Sequence, residues 1–152
     1  MKLGIAADHG GFELKTEMSK RLRALGHEVV DFGAHAIDPD DDYPDFVIPM
    51  SQAVSRGEVE RGIALCGSGI GACIAANKVR GVRACLIEDA YSARQGVEHD
   101  NLNVVCMGGR TMGFELVWQL LETFLDARFS GAERHLRRLA KVLALEKECA
   151  GG

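Results

Sequence analysis

No segment of this sequence approaches the run of about 18 to 20 uninterrupted apolar residues that a membrane-spanning helix needs. The opening MKLGIAADHG carries an apolar run too short for a secretory core, and Asp8 breaks it early, so neither a leader nor membrane contact is expected. Positive charge is not in excess. The formal net charge is -4, which argues against nucleic acid as the main partner, although local basic clusters still suit a small anion. Cysteine pairing is also missing: the five cysteines, at 66, 73, 85, 106 and 149, are odd in number and form no C-x-x-C. A disulfide framework is therefore not expected, and a reduced, cytoplasmic setting fits best. Cys85 and Cys106 lie in apolar runs and read as small buried hydrophobes. No H-x-x-x-H, H-E-x-x-H or clustered Cys/His spacing occurs, so no metal site is expected. There is no repeat, low-complexity tract or interdomain linker.

What is present is the composition of one ordinary soluble domain: 152 residues, 47% hydrophobic and 26% charged. Strand-like and helix-like segments alternate. KLGIAA, HEVVDFG, RGIALC, VRACLIE and NVVCMG read as strands. FELKTEMSKRLRAL, FVIPMSQAVSRG, IGACIAANKV, DAYSARQGVEH, MGFELVWQLLETFLDARF and GAERHLRRLAKVLALEKE read as helices. Pro49 is expected in the first turn of its helix, where a missing N–H does no harm. The alternation predicts a single α/β domain over 1–152, with a five-stranded parallel sheet covered by helices on both faces. The last helix, about 131–147, is left over once the sheet is covered and is expected to pack on a partner subunit.

Ligands of such sheets bind beyond the carboxyl ends of the strands. Asp8-His9-Gly10-Gly11, Cys66 to Gly71 and Gly108-Gly109-Arg110 fall at those ends and are expected to share one site. The stretch ALCGSGIGA at 64–72 admits three readings. Gly67, Gly69 and Ala72 satisfy a G-x-G-x-x-A dinucleotide fingerprint, with Glu88 or Asp89 as the ribose-binding acid, but the loop follows the third strand and not the first. Alternatively, Cys66 is the working group: a thiol facing loop amides should have its thiolate favoured, and the same amides would stabilise an oxyanion on a substrate. Ser68 would add a hydroxyl. The third reading makes Cys66 a buried strand-end residue beside a tight turn.

Asp8-His9 and His99-Asp100-Asn101 are polar clusters in apolar flanks. A histidine beside a carboxylate can be held in one tautomer and move protons near neutral pH, while Asp8 and Asp100 would also serve as helix caps. Both clusters are expected at the same edge of the sheet. Arg134 and Arg138 share a helix face at i, i+4 spacing and, with Arg110, suit a phosphate; a solvated basic face is the alternative.

Together, DHGGFELK (8–15), DYPDF (42–46), CGSGIG (66–71), AANKVRGVRA (75–84), YSARQGVEHDNLNV (91–104), GGR (108–110) and RHLRR (134–138) resemble the type B ribose-5-phosphate isomerases and the related galactose-6-phosphate isomerase subunits. The resemblance spans roughly residues 2 to 145. It implies a Rossmann-like sandwich without a nucleotide, and a cofactor-free exchange of aldose and ketose phosphates through a cis-enediolate. It also implies Cys66 as the base, with the amides of Gly67, Gly69, Ile70 and Gly71 and the Ser68 hydroxyl around the anion. His99 would open the sugar ring, Asp8 would orient hydroxyls, and Tyr43, Asp100 and Asn101 would line the sugar. His9, Arg134 and Arg138 would hold the phosphate, with Arg110 as a further contact. The site would be shared between subunits of a homodimer or homotetramer. Ribose 5-phosphate and ribulose 5-phosphate are the leading pair, a hexose or tetrose the nearest alternative, and a noncatalytic binding subunit the alternative from another class. The acidic loop GAHAIDPDDDYPD is expected to disfavour a phosphate close to it.

Overall fold

The structure, a computed structural model, describes residues 1–149. Five strands, β1 (Lys2–Ala7), β2 (Glu28–Asp31), β3 (Arg61–Cys66), β4 (Ala84–Leu86) and β5 (Val104–Gly108), alternate with helices α1 (Phe12–Ala24), α2 (Pro44–Ser55), α3 (Ile70–Ala76), α4 (Ala90–Asp100), α5 (Phe114–Asp126) and α6 (Glu133–Cys149). The strands form one all-parallel sheet in the order β2-β1-β3-β5-β4. The chain leaves β1 in one direction for β2 and returns to its other side for β3, so a topological switch point lies between β1 and β3, where their carboxyl ends diverge.

The period-two alternation of each strand sorts the core into two layers. Leu3, Ile5, Ile63, Leu65, Val105 and Met107 face the layer of α1, α4 and α5, where Leu14, Val97 and Phe124 are fully or almost fully buried. Ala6, Ala64, Cys66, Val104 and Cys106 face the layer of α2 and α3. Small side chains on that second face let α2 and α3 approach closely. Each large aliphatic side chain buried on the first face contributes about 1.5–3 kcal/mol.

Two expectations change. Pro44 occupies the first turn of α2, so Pro49 lies inside the helix. It is tolerated on the exposed side of the helix, where both Pro49 and Asp45, whose carbonyl it leaves without its usual donor, lie. Cys85 is exposed, unlike the fully buried Cys106, because β4 is a three-residue strand at the sheet margin. The last helix, α6, meets α4 of its own chain and buries His135 there, leaving Leu136, Val142 and Leu145 exposed.

Candidate active site

At the switch point, the ends of β1, β3 and β5 are knitted into one cradle. The Gly109 amide donates to the Cys66 carbonyl and the Arg110 amide to the Gly67 carbonyl, each at 2.9 Å. On the other flank, Asp8 ends β1 as the cap of a 3-10 turn at His9–Gly11, its Oδ1 accepting from the Gly10 amide at 2.9 Å. Capping and a place in the cleft are thus compatible for Asp8. The β3 loop turns back over its own strand at Gly69, whose φ of 81° favours glycine. That turn aims the Gly69 amide at Cys66 Sγ, 3.1 Å away. Ser68 Oγ accepts from the Ile70 amide at 3.3 Å. Tyr43 precedes α2 and lays its ring on Gly71, so closely that a Cβ there would fall 2.7 Å from the ring.

Asp8, Tyr43, Cys66, Gly67, Ser68, Gly71 and Arg110 line one open cleft of about 400 Å³, together with Thr111, a residue the sequence did not single out. Cys66 itself is only 5% exposed, a thiol at the floor with an amide donor on its sulfur. The three strand-end elements do converge.

His9 stands at the margin of this group. Its Nδ1 lies 2.7 Å from Asp41 Oδ1, and its backbone amide donates to the same oxygen at 3.0 Å. The hydrogen bond to Asp41 raises the imidazole pKa above its ordinary 6.5; Asp8 adds to the effect, while partial burial and Arg110 oppose it. Asp8, His9 and Asp41 place three potential ligand atoms within 4.8 Å of one another. A metal with bonds of about 2.0–2.2 Å to each partner would push His9 and Asp41 further apart than 2.7 Å. The contact is a short hydrogen bond between imidazole and carboxylate.

His99, Asp100 and Asn101 lie elsewhere. They close α4, which runs antiparallel to the strands, and lead through Asn103 into the start of β5. This puts them at the amino edge of the sheet, while Asp8 and Cys66 stand at the carboxyl edge, roughly 13 Å away along β5 alone. The expectation of a common edge is corrected: a residue at the end of a crossover helix belongs to the edge where the next strand begins. Asp100 is an exposed last residue of α4 and caps no helix start. Asn101 ends the helix in a left-handed conformation, its carbonyl accepting from Arg83 Nε at 2.7 Å.

Around His99 a second polar group assembles. Gln95, one turn earlier, contacts His99 Nδ1 at 3.1 Å, and the imidazole stacks on that of His135. The buried His135 holds Ser130 Oγ at Nδ1 (2.7 Å) and accepts from Arg134 Nε at Nε2 (3.2 Å). Burial, then the charges of His99, Arg134 and Arg138, lower its pKa. Gly131, at φ 64°, turns the chain into α6, and the Ser130 amide docks on the Glu98 carbonyl at 3.0 Å. Arg138 and Asp100 edge a larger concavity of about 630 Å³ between β4, α4 and α6, walled by aliphatic side chains such as Leu102, Leu139 and Leu145. Neither Cys66 nor Ser68 opens into it.

The profile of the Ribose/Galactose Isomerase family matches residues 3–142. This chain belongs to that family. The isomerase is similar to the ribose-5-phosphate isomerase B of Clostridium thermocellum, with a TM-score of 0.93 at 44% identity over 97% of this chain and 99% of that one. It superposes with a TM-score of 0.92, at 39% identity over 97% of each chain, on the ribose-5-phosphate isomerase B of Mycoplasma genitalium with bound ribulose-5-phosphate. It is also 34% identical to D-erythrulose-4-phosphate isomerase 2 of Mycolicibacterium smegmatis, over 96% of this chain and 97% of that protein. The family and the fold make the chain a sugar-phosphate isomerase, an enzyme that exchanges aldose and ketose. The nucleotide reading of the glycine loop therefore falls away: Gly69 turns the backbone onto a thiol.

Proposed function

We propose that this isomerase interconverts ribose 5-phosphate and ribulose 5-phosphate through a cis-enediolate, with Cys66 moving the proton between C1 and C2. The observation that carries this reading is the Gly69 amide held on Cys66 Sγ inside the cleft of Asp8, Tyr43 and Arg110. Removing the carbon proton places negative charge on the neighbouring oxygens, where the amides of the Gly67–Gly71 loop and the Ser68 hydroxyl stabilise it. C1 and C2 are adjacent, so one thiolate can take the proton from one and return it to the other. Asp8 and Tyr43 orient the sugar, and Arg110, over Gly67, offers its charge beside the loop.

Ring opening falls to His99, contributed by a second copy of the chain. One chain holds the base at the carboxyl edge and His99, Asp100, Arg134 and Arg138 at the amino edge, so a two-fold assembly supplies each site with the half it lacks. Within it, Arg134 and Arg138 join His9 on the phosphate, and the exposed apolar side of α6 packs on the partner. Among the described residues no helix is long and apolar enough to cross a membrane, and the five cysteines are free thiols; we place the enzyme in the reducing cytoplasm, as one domain over the whole chain.

The M. smegmatis relative favours a second substrate, the tetrose D-erythrulose 4-phosphate. Both are tested by following conversion of each sugar phosphate with metal-free protein, with Cys66→Ala as the control. Ribose 5-phosphate turnover that disappears in Cys66→Ala is the expected result. Turnover of the tetrose alone would replace the substrate and keep the chemistry, and undiminished turnover by Cys66→Ala would remove the base assignment.

A further inference from the structure

The segment Asp38-Pro39-Asp40-Asp41-Asp42 before α2 puts four carboxylates near a site read above as gripping a phosphate, an arrangement that should repel its own substrate. Three of them point away from that conflict: Asp38, Asp40 and Asp42 are exposed, and Asp38 Oδ1 is engaged by the Asp40 amide at 3.0 Å. Asp41 alone turns inward, its side chain 8% exposed. Its Oδ1 accepts from both the backbone amide and Nδ1 of His9, and its Oδ2 is buried without a hydrogen-bond partner.

We propose that Asp41 is a positioning residue of the phosphate anchor, clamping His9 through two hydrogen bonds so that the imidazolium presents Nε2–H to the phosphate. The inference rests on the reading of His9 as a phosphate ligand. A carboxylate with one buried, unpartnered oxygen is costly unless a positive charge stands beside it, and His9 is the cationic side chain in contact with Asp41 among the described residues. The consequence for the ligand is specific. With Nδ1 committed to Asp41, a neutral His9 would offer only a lone pair at Nε2, which repels a phosphate oxygen. The protonated ring offers a charged N–H there instead. Within one chain the charged groups acting on His9 are Asp8 and Asp41, which favour the imidazolium, and Arg110, which opposes it; in the proposed assembly Arg134 and Arg138 of the partner subunit oppose it as well. Asp41 thereby converts an acidic loop into the support of a cation.

The experiment is an NMR titration of the His9 ring nitrogens in wild type and Asp41→Asn, free and with inorganic phosphate, paired with the pH dependence of KM for ribose 5-phosphate. Asparagine keeps the size and an accepting oxygen but removes the charge. The expected results are a wild-type His9 that titrates above 6.5, a fall toward 6.5 in Asp41→Asn, and weaker phosphate perturbation of its ring. The KM ratio of variant to wild type should reach about threefold to tenfold near pH 8 and approach one near pH 6, with kcat nearly unchanged. Asp40→Asn, an exposed neighbour, should change none of these. A flat KM ratio across pH, or the same His9 titration in both proteins, overturns the proposal. A wild-type His9 titrating at or below 6.5 overturns it with no variant needed. The titration requires no turnover, so it still decides the role of Asp41 if ribose 5-phosphate proves not to be the substrate. A His9 that titrates above 6.5 but ignores phosphate sinks the anchor reading and the proposal with it.

Discussion

The imidazoles of His99 and His135 lie face to face, ring centroids 4.0 Å apart and planes inclined by 26°. His135 is buried beneath His99 and uses both of its nitrogens, one on Ser130 and one on Arg134. It therefore serves as a neutral plate that sets His99 and Arg134 together. Its depressed pKa has a definite sign for stability. Above 6.5 both folded and unfolded histidine are neutral. As pH falls from 6.5 toward the lower folded value, the unfolded chain binds the proton first and stability is lost. His135→Phe keeps a stacking ring and removes that titration. Its melting temperature should drop less than that of wild type between about pH 7 and about pH 5, as read by differential scanning calorimetry.

The proposed sharing of the site between two copies gives a complementation test. Cys66→Ala and His99→Asn should each be inactive alone. Unfolded together in equal amounts and refolded, half the dimers are mixed and each carries one intact site of two, so about a quarter of wild-type activity should return. No recovery would mean that His99 does not act across a subunit boundary.

Gly69→Ala tests the turn that delivers the amide to the thiol. The substituent would sit 2.7 Å from the Leu86 side chain and 2.8 Å from the Met107 carbonyl carbon, at a φ that an alanine adopts with strain. Urea unfolding should show a loss of about 2 kcal/mol or more, and kcat should fall more than stability alone explains.

Cys66→Ser retains a proton-bearing group of the same shape but one that ionises far less readily. Turnover should fall by about a thousandfold or more, with the circular dichroism spectrum unchanged. A serine variant within about tenfold of wild type would argue against a thiolate base.

Cys73 is the thiol to watch in any chemical labelling. The neighbouring Cys106 thiol, the Leu86 backbone and Asn77, whose Nδ2 lies 3.6 Å from the sulfur, favour its thiolate over the opposing effect of partial burial and bring its pKa down to about 6. In the same pair, Cys106 is pushed well above its ordinary value. Iodoacetamide near pH 7 should therefore modify Cys73 well before Cys106, as mapped by peptide mass spectrometry. Equal rates would contradict the pairing.

Much of this was legible in the residues because period and punctuation coincide. RGIALC is β3 to the residue, and Gly69 follows the thiol where a reversal is needed. The edge at which His99 stands was not legible in the same way: it depends on the antiparallel run of α4 against the strands, a relation of direction and not of composition. Asp41 was hidden among acidic neighbours, since nothing in a run of aspartates marks the one that turns inward. His135 sits in the basic run RHLRR, and its buried role depends on stacking against His99, which a distant segment brings to it. Thr111 follows GGR directly and would have been found by extending that motif one residue.

The margins of the sheet carry a consequence for how copies of this chain can meet. β4 has three residues and β2 four, against six in β1 and β3. Each border therefore offers only a short line of unpaired amides and carbonyls, too little to template a further strand. Growth by strand addition, the route to fibres, is closed at both borders, and any stable association must be made by helix faces and loop ends. The fold thus keeps its aggregation-prone element inside and leaves assembly to surfaces that can stop at a defined number of copies.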